Sequence, residues 1–315
     1  MVTLHPQNNS FSTFWVSNKE YALGESPAWC SETGVLSWVD IEGKTLVLAG
    51  RTSHEQVEIL EERHFPDRVG FAIPLRRGRY LVGQGSRLAI SGAEGIEELS
   101  GSLLPAGHRF NDATIDPFGR LLVGSLSLGK ASPKNYLSIV HQEGQLQVLA
   151  DDVILGNGIC FSPQDDFLFF VDSGKRWVER WSFNSSTGEI GDRSVFFEVL
   201  EDESVPDGLA CDEHGNLWLA LWGAGKLKQI SPDGELVSTV FLEDSRYVTS
   251  LTFWGSELGD VCVTTALAPF LEDGTQPDHF AGRTFCGSLG TRGVAQHPWG
   301  VVELAQVKPI RRTVP

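Results

Sequence analysis

DGLACDEHGNLWLALW, residues 207–222, opens on an Asp-Gly pair, runs into a short apolar strand, turns at His-Gly and returns through a second strand. The same pattern recurs five more times: ESPAWCSETGVLSWVDI from Glu25, VGFAIPLRRGRYLVGQG from Val69, NDATIDPFGRLLVGSL from Asn111, NGICFSPQDDFLFFVDS from Asn157 and TSLTFWGSELGDVCVTTA from Thr249. The turn residues of the first five repeats are Gly34, Gly78, Gly119, Asp166 and Gly215, spaced by 44, 41, 47 and 49 residues, with a sixth turn at Gly255–Gly259. A period of this length, built of strands and Gly or Asp turns, marks propeller blades.

Between the repeats lie further strand pairs, such as YLSIVHQEGQLQVLA from Tyr136 and KLKQISPDGELVSTVFL from Lys226. They alternate polar and apolar residues and turn at Glu-Gly or Asp-Gly, as antiparallel hairpins do. Each period therefore holds about four strands. The strands are rich in β-branched and aromatic residues, as in Phe167–Val171, and no stretch shows sustained helical periodicity. The expectation is an all-β chain: one domain over residues 1–315, a six-bladed β-propeller with four-stranded antiparallel blades. The first ~20 residues and a strand at 300–308 are the candidates to close the ring between the last blade and the first.

Composition narrows the function. The 315 residues carry 25 Lys and Arg against 41 Asp and Glu, a formal charge of −16, and 41% are hydrophobic. Such a field repels nucleic acid and anionic lipid, which are bound through clustered basic residues. Neither nucleic acid nor membrane is expected as a partner. The N-terminal stretch lacks a basic region followed by an apolar one, and no window approaches the ~18 apolar residues of a membrane span. The five cysteines (Cys30, Cys160, Cys211, Cys262 and Cys286) show no Cys-x-x-Cys spacing and read as reduced, mostly buried thiols of a cytoplasmic protein.

Register adds chemistry to the fold. Glu25 lies nine residues before its turn residue, Asn111 eight, Asn157 nine and Asp207 eight. These counts place all four at the start of the strand that opens a repeat, and in propellers that strand lines the central channel. Glycine or proline flanks Glu25, Asn157 and Asp207, leaving room around the polar group. Asp-Gly and Asn-Gly are also common turn dipeptides, so any one alone reads as a turn; four in register in different blades read as a convergence. Two carboxylates and an amide oxygen without His or Cys make a hard site, suited to Ca²⁺ or Mg²⁺, with Mn²⁺ or Zn²⁺ as alternatives. No GxSxG, Walker, GxGxxG or HExxH motif offers another chemistry.

The motifs are similar to those of the SMP-30/gluconolactonase/luciferin-regenerating-enzyme-like family. The carriers are Leu-Gly-Glu-Ser-Pro-Ala-Trp (23–29), Trp-Val-Asp-Ile (38–41), Arg-Phe-Asn-Asp (109–112), Gly-Asn-Gly (156–158), Val-Asp-Ser (171–173) and Pro-Asp-Gly-Leu-Ala (206–210). The resemblance runs from about residue 23 to about residue 293 and implies one divalent metal ion, Ca²⁺ first, held by Glu25, Asn157 and Asp207. It implies that Arg109 and Asn111 contact substrate and that Asp207 is both ligand and proton acceptor. The activity it implies is hydrolysis of a sugar-acid lactone, a small-molecule substrate. A phosphoester or organophosphate hydrolase is the alternative enzyme, and a calcium-binding regulator or scaffold the non-enzymatic one. Two departures stand out: residues 127–130 read Ser-Leu-Gly-Lys, where many relatives carry a substrate-binding Glu, and the usual Asn-Asp-Gly is Asn-Asp-Ala at Ala113.

Overall fold

The structure, a computed structural model, describes residues 7–52, 56–129, 134–141, 145–201, 204–242, 244–300 and 311–312. Six antiparallel sheets follow one another along the chain. Blade 1 is Gly24–Cys30, Val35–Asp40, Thr45–Arg51 and Val57–His64. Blade 2 is Val69–Pro74, Tyr80–Gln84, Arg87–Gly92 and Gly95–Glu98. Blade 3 is His108–Ile115, Leu121–Ser127, Asn135–Val140 and Gln145–Val153. Blade 4 is Gly156–Phe161, Phe167–Asp172, Trp177–Phe183 and Ile190–Glu198. Blade 5 is Val205–Cys211, Leu217–Trp222, Lys226–Ile230 and Leu236–Phe241.

Blade 6 closes the ring. Val248–Trp254, Asp260–Thr265 and Phe285–Ser288 come from the C-terminal part of the chain, and the outermost strand is the N-terminal Ser12–Val16. The N-terminal segment thus does what the sequence suggested, while the proposed closing strand at 300–308 lies, beyond Gly300, outside the described residues. Gln7–Ser10 adds a parallel edge strand to blade 5 and Arg311–Arg312 one to blade 3. The first strands of the six blades pack side by side in a closed cycle, blade 6 against blade 1 included. One short α-helix, Ala268–Asp273, interrupts blade 6, begun by a Pro in its first turn and stopped by Gly274 at φ 65°. No helix among the described residues is long and apolar enough to cross a membrane.

Burial explains the apolar runs. The second strands of blades 1, 2 and 5 are buried along nearly their whole length, because neighbouring blades cover both faces. The outermost strand Ile190–Glu198 is largely exposed and correspondingly polar. Each of the six interfaces between blades holds its own apolar cluster. At the closing interface Trp38 and Trp254 are fully buried, and Trp29 meets Trp254 edge-on at 5.7 Å between ring centres. A fully buried side chain of the size of Leu or Phe contributes about 1.5–3 kcal/mol, so closure rests on this aromatic cluster as much as on the strand hydrogen bonds.

Buried aspartates brace the loops. Asp40 accepts from the Ala22 and Leu23 N–H groups at 3.0 and 2.9 Å, and Asp172 from those of Ile154 and Leu155, each at 3.1 Å. Each latches the backbone just ahead of an inner strand. At the opposite end Asp116 and Asp212 accept from the backbone of their own turns.

Residues 292–300 cross that opposite end of the channel. Glu213 N–H donates to the Arg292 carbonyl at 2.8 Å, His297 Nε2 lies 2.8 Å from Asp165 Oδ1, and Gly300 N–H donates to the Gly119 carbonyl at 3.0 Å. This strap touches blades 3, 4 and 5 in turn. All five cysteines are free thiols; burial pushes the Cys160 thiol well above its ordinary range, which disfavours a thiolate nucleophile there.

Inner strands approach each other closely where glycine stands. A Cβ on Gly70 would lie 2.2 Å from the Phe110 carbonyl oxygen, whereas one on Gly101 would meet nothing within 4 Å. Gly70→Ala should therefore destabilise the protein by about 1–3 kcal/mol, and Gly101→Ala should leave it unchanged or slightly more stable. Denaturant melts of both variants check the pair; equal midpoints would show that the inner strands can spread.

Candidate functional site

Every inner strand carries a register irregularity near its start. The pairing with the second strand jumps between Glu25 and Ala28, Val69 and Ala72, Phe110 and Ala113, Gly156 and Ile159, Pro206 and Leu209, and Val248 and Ser250. A bulge breaks the two-residue alternation of side chains and re-aims the residues inside it. Asn111, Asn157 and Asp207 are each the first residue inside the bulge of their blade. Glu25 stands one residue earlier, with Ser26 in the equivalent place at φ 46°.

The residue count that put all four at one position is thus corrected by one in blade 1. The turn residue of blade 4 shifts as well: the left-handed residue is Asp165, at φ 57°, in place of Asp166. Measured from the left-handed residues, Asn111, Asn157 and Asp207 are all eight back, and Glu25 alone is nine back. Its longer side chain starts one residue away from the bulge, and the Ser26 N–H donates to Glu25 Oε2 at 3.0 Å, turning the carboxylate over the bulge.

The four residues are buried, and hydrogen bonds and mutual electrostatic influence tie them together. Ser173 Oγ donates to the Pro206 carbonyl at 2.6 Å and must therefore accept from Asn157 Nδ2, 2.8 Å away. This leaves Asn157 Oδ1 as the end that faces its neighbours on the axis. Asn111 Oδ1 accepts from Arg109 Nη1 at 2.5 Å, which turns its amide group toward the Gly156 carbonyl, at 2.9 Å, and toward Asn157 Oδ1. Asn111 thus presents a donor to the cluster, while Asn157 presents an acceptor.

Electrostatics separates acceptors from cations. Burial, then the nearby Glu25 and Asp112, raises Asp207 well above the ordinary carboxylate range. Burial and the Asp112 charge push Glu25 up to about 8, against the pull of the Ser26 N–H and Arg109. Burial raises Asp112 to about 6, and the Ala113 N–H opposes it. Burial lowers Arg109 to about 10 despite the carboxylates around it. Three carboxylates, two buried and Asp112 half-buried, thus face one buried guanidinium, since Arg68 nearby is forked onto Glu42 at 2.7–2.9 Å. Asp207 Oδ1 is buried with no hydrogen-bond partner. An orphaned carboxylate oxygen in an acidic, dry cluster is the environment that a cation relieves. Among the described residues no three His, Cys, Asp or Glu side chains form a cage by themselves; with Glu25 and Asp207, the oxygen of Asn157 could serve as a third donor. The donor set fits a hard divalent ion.

Sequence reasoning left Asp112 and Ser173 without roles although both stand in the quoted motifs. Asp112 follows Asn111, and alternation along a strand sends neighbours to opposite faces; only the bulge brings it to the channel. Ser173 follows the latch Asp172, a position that carries no hint of its bond to Asn157. Ala113 in place of glycine is accommodated because its φ is not left-handed. Ser127 lies on blade 3 opposite His108, and Lys130 is outside the described residues. Trp222 is half-buried at the mouth, 4.9 Å from the ring of Tyr247. His108 is tied to the Lys134 carbonyl at 3.0 Å, a structural contact.

The SMP-30/Gluconolactonase/LRE-like region is matched by residues 23–267. The chain belongs to that family. Among the similar members, a 6-deoxy-6-sulfogluconolactonase of Pseudomonas putida is 30% identical over 257 residues, covering 78% of this chain and 83% of its own. Regucalcin of Danio rerio is 27% identical over 295 residues, covering 90% and 97%. In the solved structure of a luciferin-regenerating enzyme, 26% identical, 98% of the chain superimposes on 90% of this one with a TM-score of 0.80. The matched region of this family member contains all of the axial cluster.

A carboxyl group whose pKa is higher in the fold than in the unfolded chain costs nothing below its ordinary value. For Glu25 the cost grows as pH rises from 4.5 to about 8 and is constant above. In chelator, Glu25→Gln should match the parent's stability near pH 4.5, exceed it increasingly toward pH 8, and hold that gain beyond. Thermal melts across that range check it; parallel curves would mean that Glu25 is not strained by its burial.

Proposed function

We propose that the protein hydrolyses a sugar-acid lactone with one divalent cation held by Glu25, Asn157 and Asp207. The observation that carries this reading is the unpartnered Asp207 oxygen beside the inward-locked Asn157 oxygen, at one mouth of the channel in a chain of the gluconolactonase family. The relative named as a 6-deoxy-6-sulfogluconolactonase supports the substrate class. The free, mostly buried cysteines support a cytoplasmic setting.

When bound, the cation keeps Asp207 ionised, polarises the lactone carbonyl and steadies the charge that develops on its oxygen. Asp207 takes the proton of the attacking water as the water oxygen bonds to the carbonyl carbon. The ring C–O bond then breaks, and the same carboxyl group returns the proton to the leaving oxygen. Arg109 supplies a planar donor fork for the substrate's oxygens; the surrounding carboxylates favour its charge against the burial that opposes it. Asn111, braced between Arg109 and Asn157, offers its amide to a substrate hydroxyl. Trp222, which pairs with Val205 two residues before Asp207, and Tyr247 would offer an apolar wall to the substrate.

Asp207→Asn keeps the size and one oxygen but removes the proton acceptor. With cation occupancy verified by calorimetry, its turnover of aldonolactones should fall by ~10²–10⁴-fold. A fully loaded variant working at the parent rate would remove Asp207 as the base. A loaded parent inert toward lactones but active on phosphoesters would establish the phosphoryl reading, and one inert toward both the regulator or scaffold reading.

Ser173→Ala removes the acceptor that orients Asn157. Ca²⁺ affinity, titrated calorimetrically, should weaken by about 10–100-fold, as when other outer partners of metal ligands are lost. Unchanged affinity would show that Asn157 is oriented without Ser173 or is not a ligand.

A further inference from the structure

A cavity of about 440 Å³ lies away from the axial cluster, at the opposite end of blades 1 and 2. The inner strands of those blades begin at the cluster and end at Cys30 and Pro74, and the cavity opens beyond these ends, under the strap at 296–300. Trp29 and Trp299 both line it, Trp29 with its ring edge-on to Trp254. Trp299 is seated on the apolar cluster between blades 2 and 3, so that wall is fixed. Arg76 and Arg79 also line it.

His297 on the lining of this cavity is taken by Asp165, but the two arginines are not. Among the described residues neither Arg76 nor Arg79 forms an ion pair, although Glu32 stands on the same rim. Arg79 Nε is buried without an acceptor, and so is the indole N–H of Trp29. The cost of a buried, unsatisfied donor is about 1–3 kcal/mol, and the two residues that carry these donors both line this cavity. A chain of formal charge −16 has acidic residues to spare, yet it pairs neither of these guanidiniums.

We propose that this cavity is a second binding site, for a small organic anion carrying a flat ring. The anionic head lies against Arg76 and Arg79, whose planar forks match carboxylate and phosphate oxygens. The ring lies between Trp29 and Trp299, where stacking and apolar burial favour it. The volume suits a ligand of drug-like or nucleotide size. The site is independent of the lactone chemistry, because the channel and the strap separate it from Asp207.

Titration calorimetry and tryptophan fluorescence with indole-3-acetate and adenosine monophosphate test it, with indole and adenosine as uncharged controls. At least one anion should bind the parent protein, and the controls should bind at least about tenfold more weakly. Arg76→Glu, a change at an exposed residue, should weaken binding by about tenfold or more while melting temperature and lactone turnover stay as in the parent. Arg79→Gln should do the same; if it fails to fold, Arg76→Glu carries the test. Asp207→Asn should bind the anion like the parent. Absence of binding by both anions, equal binding of the uncharged rings, indifference to Arg76→Glu, or loss of binding in Asp207→Asn would each overturn the proposal.

Discussion

One backbone constraint governs the molecule: each inner strand breaks its pairing at the same height, just inside one mouth of the channel. A regular strand would send Asn111 to the axis and Asp112 into the blade, or the reverse. The bulge lets two consecutive residues serve the channel. Neighbouring strands lie close here, and glycine stands at the first bulge position in blade 2 and at the second in blades 4 and 5: a Cβ on Gly70, Gly158 or Gly208 would strike the adjacent inner strand. The polar cluster therefore exists only because the ring is tight, and the ring is tight only because those residues lack side chains.

The cluster is unfavourable by itself. Burial raises Glu25, Asp112 and Asp207 together, and Arg109 answers only one of three potential charges. The backbone relaxes this only in part, through the Ser26 N–H on Glu25 and the Ala113 N–H on Asp112. Orientation is instead invested in the neutral members. Ser173 decides which end of Asn157 faces inward, and Arg109 decides the same for Asn111. A cation at this position would relieve the crowded carboxylates, and the Asn157 oxygen would be turned toward it.

The two ends of the channel are built differently. At the end bearing the cluster, aromatic side chains such as Trp222 and Tyr247 stand half-exposed. At the other, the strap runs from blade 5 across His297 to Gly119 of blade 3 and lines the small cavities below the cluster. Chemistry at the axis is thereby reached from one side, and the strapped face is left to other uses.

The repeat of Gly and Asp turns with its period near 45 residues determined the blade number, because each turn must occupy a left-handed conformation that few residues accept. Gly34, Gly78, Gly119 and Gly215 all do so, as the spacing required. The same spacing brought Glu25, Asn111, Asn157 and Asp207 to one mouth, and the charge balance named the kind of partner to exclude. Local composition could not show the single-residue offset of Glu25, the arrival of Asp112 at the channel, or the hold of Ser173 on Asn157. Nor could it show the cavity beneath the strap, which joins Trp29 and Arg79 to Trp299 from the far end of the chain. Those features depend on bulges and on contacts between blades distant in sequence, and such contacts exist only once the ring has closed.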